Sequence, residues 1–151
     1  MSEIRRGFLA VDPALLESLL SASNSKASTR MSAIGPAWHQ EEGHRKGEVE
    51  LPFLRAAVEL TGESTGPVIV RWWSNVLRAG ASYPAHRHDG KWAFVYHLTT
   101  GAAVHFKGHG SFTATPGQIL VFDSKIAHWT DKVIEETPRV SIAGNLHFKH
   151  R

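Results

Sequence analysis

Three histidines and one arginine in this sequence have the types and spacing of a metal site with an anion-binding partner. His86 and His88 are separated by one residue, so on an extended strand both side chains project from the same side of the backbone. A third histidine from another strand, His128, could complete one face of an octahedral metal and leave the opposite face open to substrates. This is the layout of a mononuclear non-haem iron site. Arg139 and Ser141 follow His128 and indicate a carboxylate co-substrate, because a guanidinium fork and a hydroxyl both donate hydrogen bonds to carboxylates.

The composition restricts the class of protein. The chain has 151 residues and no cysteine, which predicts one domain over residues 1–151 and excludes cysteine zinc sites, thiol nucleophiles and disulfides. The formal net charge is +3 and the pI is about 9.5, but the basic residues are scattered in pairs. This pattern disfavours a nucleic-acid partner and is compatible with anionic small substrates. No apolar run is long enough for a membrane span and the first residues do not resemble a secretory signal, so we expect a cytoplasmic protein.

The N-terminal part, residues 1–65, predicts an arm of helices and loops. Asp12 followed by a proline is typical of a capped helix start, and apolar residues recur after it. The polar stretch 21–32 predicts a loop. Residues 51–60 predict a second short helix, which Gly62 ends.

From residue 66 onward the pattern changes to short β-rich segments separated by glycine, proline and aspartate. The predicted strands are 68–77, 92–98, 102–106, 111–115, 119–122 and 140–148. Such a series predicts a mainly β fold over 66–151, a sandwich or barrel of the jelly-roll type, with the N-terminal helices packed on the outside of one sheet. Edge strands in folds of this size also allow a homodimer.

One segment resembles the first cupin motif. Residues 80–88 contain a glycine, five further residues and then His-x-His. Gly110, the dipeptide 116–117 and His128 resemble the second cupin motif loosely. The glutamate that the first motif carries a few residues beyond its second histidine is absent here.

A closer resemblance covers residues 71–145. The segments that carry it are 71–75, 86–88, 116–129 and 138–145. They are similar to the 2-oxoglutarate/iron(II)-dependent dioxygenases. That resemblance implies a double-stranded β-helix in which His-x-Asp/Glu and a distal histidine bind iron. It also implies an Arg-x-Ser pair that holds the far carboxylate of 2-oxoglutarate.

Carried onto this sequence, the resemblance implies that His86, His88 and His128 are the metal ligands. Arg139 lies eleven residues after His128, with Ser141 two residues further, and these two would bind 2-oxoglutarate. The cofactor implied is Fe(II), with 2-oxoglutarate as the co-substrate. Substrate hydroxylation would then be the activity.

The sequence departs from this family at the second ligand, where His88 stands in place of the usual carboxylate. Asp89 is adjacent, but on a regular strand its side chain would point to the opposite face. A β-bulge could bring it into the site. A three-histidine site fits iron and also fits zinc, nickel or manganese.

Further polar and aromatic residues are candidates for the pocket around the metal: Asn75, Asp89, Trp92 and Tyr96. Asn75 and Tyr96 could equally be core polar groups with local partners. Two other histidines fall inside strand patterns and predict packing or surface positions, His97 and His105. Surface positions are expected for the remaining ones, His39, His44, His109, His147 and His150.

The sequence favours an Fe(II)- and 2-oxoglutarate-dependent oxygenase that hydroxylates an unidentified small molecule or side chain. One alternative is a cupin-type metalloenzyme, a three-histidine dioxygenase or an isomerase, that uses no 2-oxo acid. In that case Arg139 would be structural, as in a surface ion pair with Glu135 or Glu136, or would bind substrate. A second alternative is a non-catalytic cupin-like module that binds a ligand and no metal.

Overall fold

The computed structural model describes residues 3–29, 33–47, 51–63 and 68–148, with the backbone alone for 44–47. This part of the chain forms two helices and nine strands. In chain order the elements are β1 (Arg5–Phe8), α1 (Pro13–Ser25), β2 (Ala37–Gly47), α2 (Pro52–Thr61), β3 (Val68–Leu77), β4 (Trp92–His97), β5 (Gly101–Phe106), β6 (Gly110–Ala114), β7 (Gln118–Asp123), β8 (His128–Thr130) and β9 (Arg139–Phe148).

The strands form two antiparallel sheets that face each other. The large sheet has the order β1-β7-β4-β9-β3-β2, and the small sheet has the order β6-β5-β8. The crossing of consecutive strands between the sheets is that of a jelly roll, so the predicted double-stranded β-helix is confirmed.

Strand β9 has two faces with different chemistry, and this difference places the functional residues. Val140, Ile142 and Leu146 are at most 2% exposed and belong to the main apolar core. The alternate residues Arg139 and Ser141 face the space between the two sheets. Because side chains of a strand alternate between its faces, one strand supports both the core and the cavity wall.

The two predicted helices are present and cover the outer face of the large sheet. The Asp12 carboxylate accepts a hydrogen bond from the Ala14 N–H at 2.9 Å and caps α1. Gly62 ends α2 in the left-handed conformation, at φ 72°. Leu54 of α2 is completely buried in the core. Within the described residues, neither helix has the length and apolarity needed to cross a bilayer.

The loop predicted for 21–32 begins later than expected, because α1 continues to Ser25. Ala22 packs against the core, which favours a further helical turn. The hydroxyl groups of Ser23 and Ser25 donate to carbonyl oxygens three and four residues earlier, at 2.7 and 3.0 Å. The polar residues therefore bond within the helix and do not end it. Residues 30–32 lie outside the described part of the chain.

The arm predicted for 1–65 also contains two strands that the sequence pattern did not predict. β2 pairs with β3 along its whole length, with one bulge between Glu41 and Gly43, and β1 pairs with β7. Both lie at the edges of the large sheet, where polar and charged residues are tolerated on a strand. The three-residue strand β8 was missed as well, since it is too short to show a pattern.

We predict that Gly144→Ala destabilises the fold, because Gly144 lies where β9 is closest to its neighbours. A Cβ atom at this position would meet the carbonyl oxygen of Arg71 and lie 2.6 Å from the Phe94 ring. Overpacking of this kind costs about 1–3 kcal/mol in the free energy of unfolding, which urea denaturation would measure. Gly101→Ala is the control, since its new Cβ would make an ordinary 3.4 Å contact with Arg139. Equal stability of the two variants would contradict the prediction.

Candidate metal centre and its cavity

The three histidines proposed as ligands meet between the two sheets. His86 and His128 form an isolated antiparallel bridge, in which each N–H donates to the other's carbonyl oxygen at 3.0 Å. The His88 N–H donates to the Ser124 carbonyl oxygen, also at 3.0 Å. One ring nitrogen from each histidine lies within 4.8 Å of the others. Main-chain pairing therefore brings two distant segments of the sequence together at this point.

Backbone carbonyl groups fix the orientation of two of the rings. His86 Nδ1 lies 2.7 Å from the Pro84 oxygen, and His128 Nδ1 lies 3.1 Å from the Ile126 oxygen. A carbonyl oxygen only accepts hydrogen bonds, so both Nδ1 atoms carry the proton. The Nε2 atoms then present lone pairs, as metal-binding histidines with such outer partners do.

The separation of two of the nitrogens suits a shared divalent metal ion. His88 Nε2 lies 3.0 Å from His128 Nε2. Imidazole nitrogens bind Zn²⁺ at about 2.0–2.1 Å, so two of them at a right angle would lie about 3.0 Å apart. Three neutral nitrogens fit iron, zinc, nickel or manganese, and the donor set alone does not select among them.

Burial keeps all three imidazoles in the neutral form that binds metals. Burial lowers the pKa of His88 to about 3, and the nearby His128 and His86 contribute in the same direction. Burial and then His86 lower the pKa of His128 to about 4. Burial also lowers the pKa of His86. No proton has to leave these rings at neutral pH before a metal binds.

Aromatic side chains surround the histidines and restrict the access of water. Trp73 stacks on His88 with ring centroids 5.7 Å apart, and Phe122 packs edge-on against His128 at 4.8 Å. Phe106 packs against Phe122 at 4.7 Å and lies 5.8 Å from His128. An apolar surrounding of this kind strengthens electrostatic interactions within the site.

Asn145 faces His88 from strand β9. Its side chain raises the pKa of His88 against the stronger effect of burial. Its carboxamide oxygen is buried and has no hydrogen-bond partner of regular geometry in the described part of the chain. A hydrogen bond from the His88 Nδ1–H to this oxygen would match the carbonyl partners of the other two histidines.

Asp89 does not join the three histidines, so its assignment to the pocket was wrong. Its side chain is exposed and lines a neighbouring groove with Ile69 and Gly90, which shares Arg71 and Asn145 with the cavity wall. The group of ligand atoms in the described residues contains histidines only. The chain bends at Asp89 and Gly90, directly after His88, and the Asp89 side chain lies outside the histidine group.

Arg139 is buried in the wall of the same cavity, whose volume is about 270 Å³. It is 2% exposed, and its guanidinium donates from Nε to the Ala102 oxygen at 3.0 Å and from Nη2 to His97 Nε2 at 2.9 Å. Among the described residues no carboxylate pairs with it, and Glu135 and Glu136 are exposed. Burial lowers its pKa to about 10, so it remains charged at neutral pH. A buried cation without an anion is costly, which suits a site that receives an anionic ligand.

A row of polar residues crosses the large sheet beside Arg139. In the strand register Ser141 of β9 lies between Asn75 of β3 and His97 of β4. Asn75 lines the cavity and accepts a hydrogen bond from the Tyr83 hydroxyl at 2.7 Å. Burial raises the pKa of Tyr83, so this hydroxyl stays protonated at neutral pH. The row places neutral hydrogen-bonding groups next to the buried positive charge of Arg139.

Trp92 and Tyr96 lie on the opposite face of β4 from the cavity, so their assignment to the pocket was wrong. The Tyr96 hydroxyl donates to the Leu9 oxygen at 3.0 Å, and its ring stacks on Phe53 of α2. The Trp92 indole N–H donates to the Glu63 carboxylate. Trp92 and Tyr96 belong to the main apolar core together with residues of the two helices, whereas Phe94 and Val95 of the same strand line the cavity.

Sequence reasoning also missed several residues of the cavity. His39 was expected at the surface, but it is 6% exposed, lines the cavity and bonds through Nδ1 to the Thr29 hydroxyl at 2.7 Å. Its strand, β2, was not predicted, so its face could not be assigned. His97 was correctly expected to pack, but its contact with Arg139 was not foreseen. The alternation of side chains along β4 could have indicated its position, because His97 has the same parity as Ala93 and Val95, which pack on the face away from the helices.

Comparisons with known proteins support the fold, and the chemistry has to be inferred from the residues of the site. No family model and no curated protein matches the sequence. The structure is similar to a prolyl-4-hydroxylase from Pseudomonas putida, with a TM-score of 0.64, 12% identity and coverage of 99% of this chain and 95% of that one. It is also similar to an oxidoreductase of the 2OG-Fe(II) oxygenase family from Burkholderia pseudomallei, with a TM-score of 0.58, 16% identity and coverage of 95% and 85%. The chain therefore has the fold of the 2-oxoglutarate/iron(II) oxygenases.

We predict that His88→Ala weakens metal binding by more than about 100-fold, because loss of a ligand should exceed the 10–100-fold cost of losing an outer partner. Titration with Mn²⁺ or Zn²⁺ by calorimetry would measure this change. His147→Ala is the matched control, since His147 lies exposed on β9, outside the three-histidine group. Equal metal affinity of the two variants would show that His88 is not a ligand.

We predict that the metal-free protein loses stability as the pH falls from about 7.5 to 5. His88 and His97 have folded-state pKa values of about 3, against about 6.5 for an unfolded histidine. The unfolded chain therefore binds more protons across this window, and the free energy of unfolding decreases as the pH falls through 6.5. Urea denaturation at several pH values would measure the slope of the free energy of unfolding against pH. His97→Gln should reduce this slope by an amount equivalent to at most one bound proton. A pH-independent free energy of unfolding would contradict the prediction.

Proposed function

We propose that this protein is an oxygenase that depends on Fe(II) and 2-oxoglutarate and hydroxylates a small molecule or a side chain. The observation that carries the proposal is the buried guanidinium of Arg139, without a carboxylate partner in the described residues, in the same cavity as three neutral imidazoles. A metal site and a cation site in one cavity fit a ligand that has a chelating group at one end and a carboxylate at the other. The fold of 2-oxoglutarate/iron(II) oxygenases agrees with this interpretation.

His86, His88 and His128 would hold the metal through their Nε2 atoms. When bound, Fe(II) supplies redox chemistry with dioxygen at coordination positions that three protein ligands leave open. The overall reaction would consume 2-oxoglutarate, dioxygen and a substrate C–H bond, and it would give succinate, carbon dioxide and the hydroxylated substrate. One oxygen atom enters succinate and the other enters the product.

The residues of the chain would bind and orient the reactants. Arg139 would pair with the far carboxylate of 2-oxoglutarate, and Ser141 would donate a hydrogen bond to the same group. Trp73 and Phe122 would limit the access of water around the metal ligands. The hydrogen bond from the Tyr83 hydroxyl to Asn75 would keep these two polar groups of the cavity wall paired until a ligand enters.

A second candidate is a metalloenzyme with three histidine ligands that uses no 2-oxo acid. The observation in its favour is the donor set itself, because His88 occupies the position at which the similar dioxygenases have a carboxylate. Arg139 would then bind a carboxylate of the substrate. A protein that binds a ligand without a metal is the third case, and elemental analysis of the purified protein would detect it as the absence of any metal.

We predict that Arg139→Ala weakens 2-oxoglutarate binding at least about 30-fold and leaves metal binding within about threefold. The loss corresponds to about 2 kcal/mol or more, the cost of truncating one partner of a buried, hydrogen-bonded charge pair. Anaerobic titration of the Fe(II)-loaded protein with 2-oxoglutarate, followed by a visible charge-transfer band, would measure the affinity. Arg55→Ala on the exposed face of α2 is the matched control.

Two results would count against the proposal. If the loaded wild-type protein shows neither a charge-transfer band nor succinate formation, the 2-oxoglutarate-dependent activity is wrong. If Arg139→Ala binds 2-oxoglutarate as tightly as Arg55→Ala, the assignment of the carboxylate site is wrong. Metal-dependent turnover that survives in Arg139→Ala without 2-oxoglutarate would favour the second candidate.

A further inference from the structure

Arg139 is held by neutral acceptors and keeps most of its donors free. A guanidinium has five N–H donors. Arg139 uses one on Nε for the Ala102 oxygen and one on Nη2 for His97, which leaves three of the five. Nη1 has no hydrogen-bond partner in the described part of the chain. The terminal nitrogens therefore still offer the paired N–H groups that a carboxylate binds.

His97 is completely buried behind Arg139 and is bonded at both ring nitrogens. Its Nε2 lies 2.9 Å from Arg139 Nη2, and its Nδ1 lies 2.7 Å from Gln118 Oε1. A guanidinium only donates, so Nε2 must carry the lone pair. A neutral imidazole then has its proton on Nδ1, and Gln118 must present its carboxamide oxygen to accept it. Only one tautomer satisfies both contacts.

The backbone around His97 is fixed by the sheet on both sides. The His97 carbonyl oxygen accepts from the Gly117 N–H at 2.9 Å, and the next residue, Leu98, donates to the Val140 oxygen at 2.9 Å. In the register His97 lies directly opposite Ser141. The imidazole is therefore positioned by central strands of the large sheet, which makes its hydrogen bond to Arg139 a fixed feature of the cavity wall.

We propose that His97 is a positioning residue, held in one neutral tautomer by Gln118, that orients Arg139 without neutralising its charge and so selects a carboxylate ligand. This inference rests on the proposed function, because the ligand it concerns is the far carboxylate of 2-oxoglutarate. His97 itself touches neither the metal ligands nor the open end of the guanidinium.

The chemistry of the acceptor decides whether the site can take an anion. A protein carboxylate at this position would pair with Arg139, and a ligand carboxylate would then have to compete with it in a low-dielectric site. An imidazole makes the same orienting hydrogen bond with no charge. Burial and the charge of Arg139 lower the pKa of His97 to about 3, so the ring is uncharged at neutral pH.

The test compares His97→Gln with His97→Glu, two variants that differ in charge and scarcely in shape. Each variant is loaded with Mn²⁺ and titrated with 2-oxoglutarate by calorimetry. His97→Gln keeps a neutral acceptor for Arg139 and is expected to bind within about tenfold of the wild type. His97→Glu is expected to bind at least about tenfold more weakly than His97→Gln. Both should bind Mn²⁺ as the wild type does, which shows that the three-histidine site and the fold are intact.

The outcomes separate this inference from the proposed function. Equal binding of 2-oxoglutarate by the two variants would overturn the role given to His97, whether or not both differ from the wild type. No binding by the Mn²⁺-loaded wild type would overturn the proposed function, and the inference would fail with it.

A measurement on the wild type covers the case in which a variant does not fold. Nitrogen-15 spectra of the histidine rings should show His97 neutral at pH 7, with its proton on Nδ1. A proton on Nε2, or a charged ring at this pH, would overturn the inference without any substitution.

Discussion

The alternation of side chains along β9 is the constraint on which the rest of the structure depends. β9 lies between β3 and β4 in the large sheet, and its even-numbered residues are buried against the helices. Its odd-numbered residues place Arg139, Ser141 and Asn145 along one wall of the cavity. A shift of one residue in register would exchange the two faces, exposing the core residues and burying the arginine among them. The packing of the core therefore also specifies the positions of the functional groups.

Because of this constraint, the cavity wall contains a buried positive charge that no carboxylate of the described residues pairs with. The three imidazoles are neutral because they are buried, and Arg139, a buried cation of the wall, is bonded to a carbonyl oxygen and a neutral imidazole. Positive charge without a counter-ion costs folding free energy, and binding of an anion would recover part of that cost. Under the proposed function, the three imidazole nitrogens and the guanidinium of Arg139 bind the two ends of one ligand. The aromatic rings around His88 and His128 keep these interactions away from bulk water.

Sequence reasoning predicted most of the core strands and the residues with strong chemical signatures. The spacing of His86 and His88 was informative, since both rings lie next to His128 although only His86 forms a strand bridge. Trp92 and Tyr96 were assigned to the wrong face of β4, because the prediction used their residue types and not the alternation of side chains along the strand. His39 was misplaced because β2 is an edge strand whose polar sequence lacks a strand pattern. The tautomer of His97 depends on contacts with Arg139 and Gln118, which come from other strands and are not encoded in any local motif.

The central claim is that the metal site and Arg139 bind the two ends of one molecule. The most direct measurement is the affinity for 2-oxoglutarate by calorimetry, with and without saturating Mn²⁺ and under anaerobic conditions. The account predicts that the metal tightens 2-oxoglutarate binding at least about tenfold, with the same factor for the effect of 2-oxoglutarate on metal affinity, since such coupling is reciprocal. Equal affinity for 2-oxoglutarate in the two conditions, or no binding in either, would contradict it.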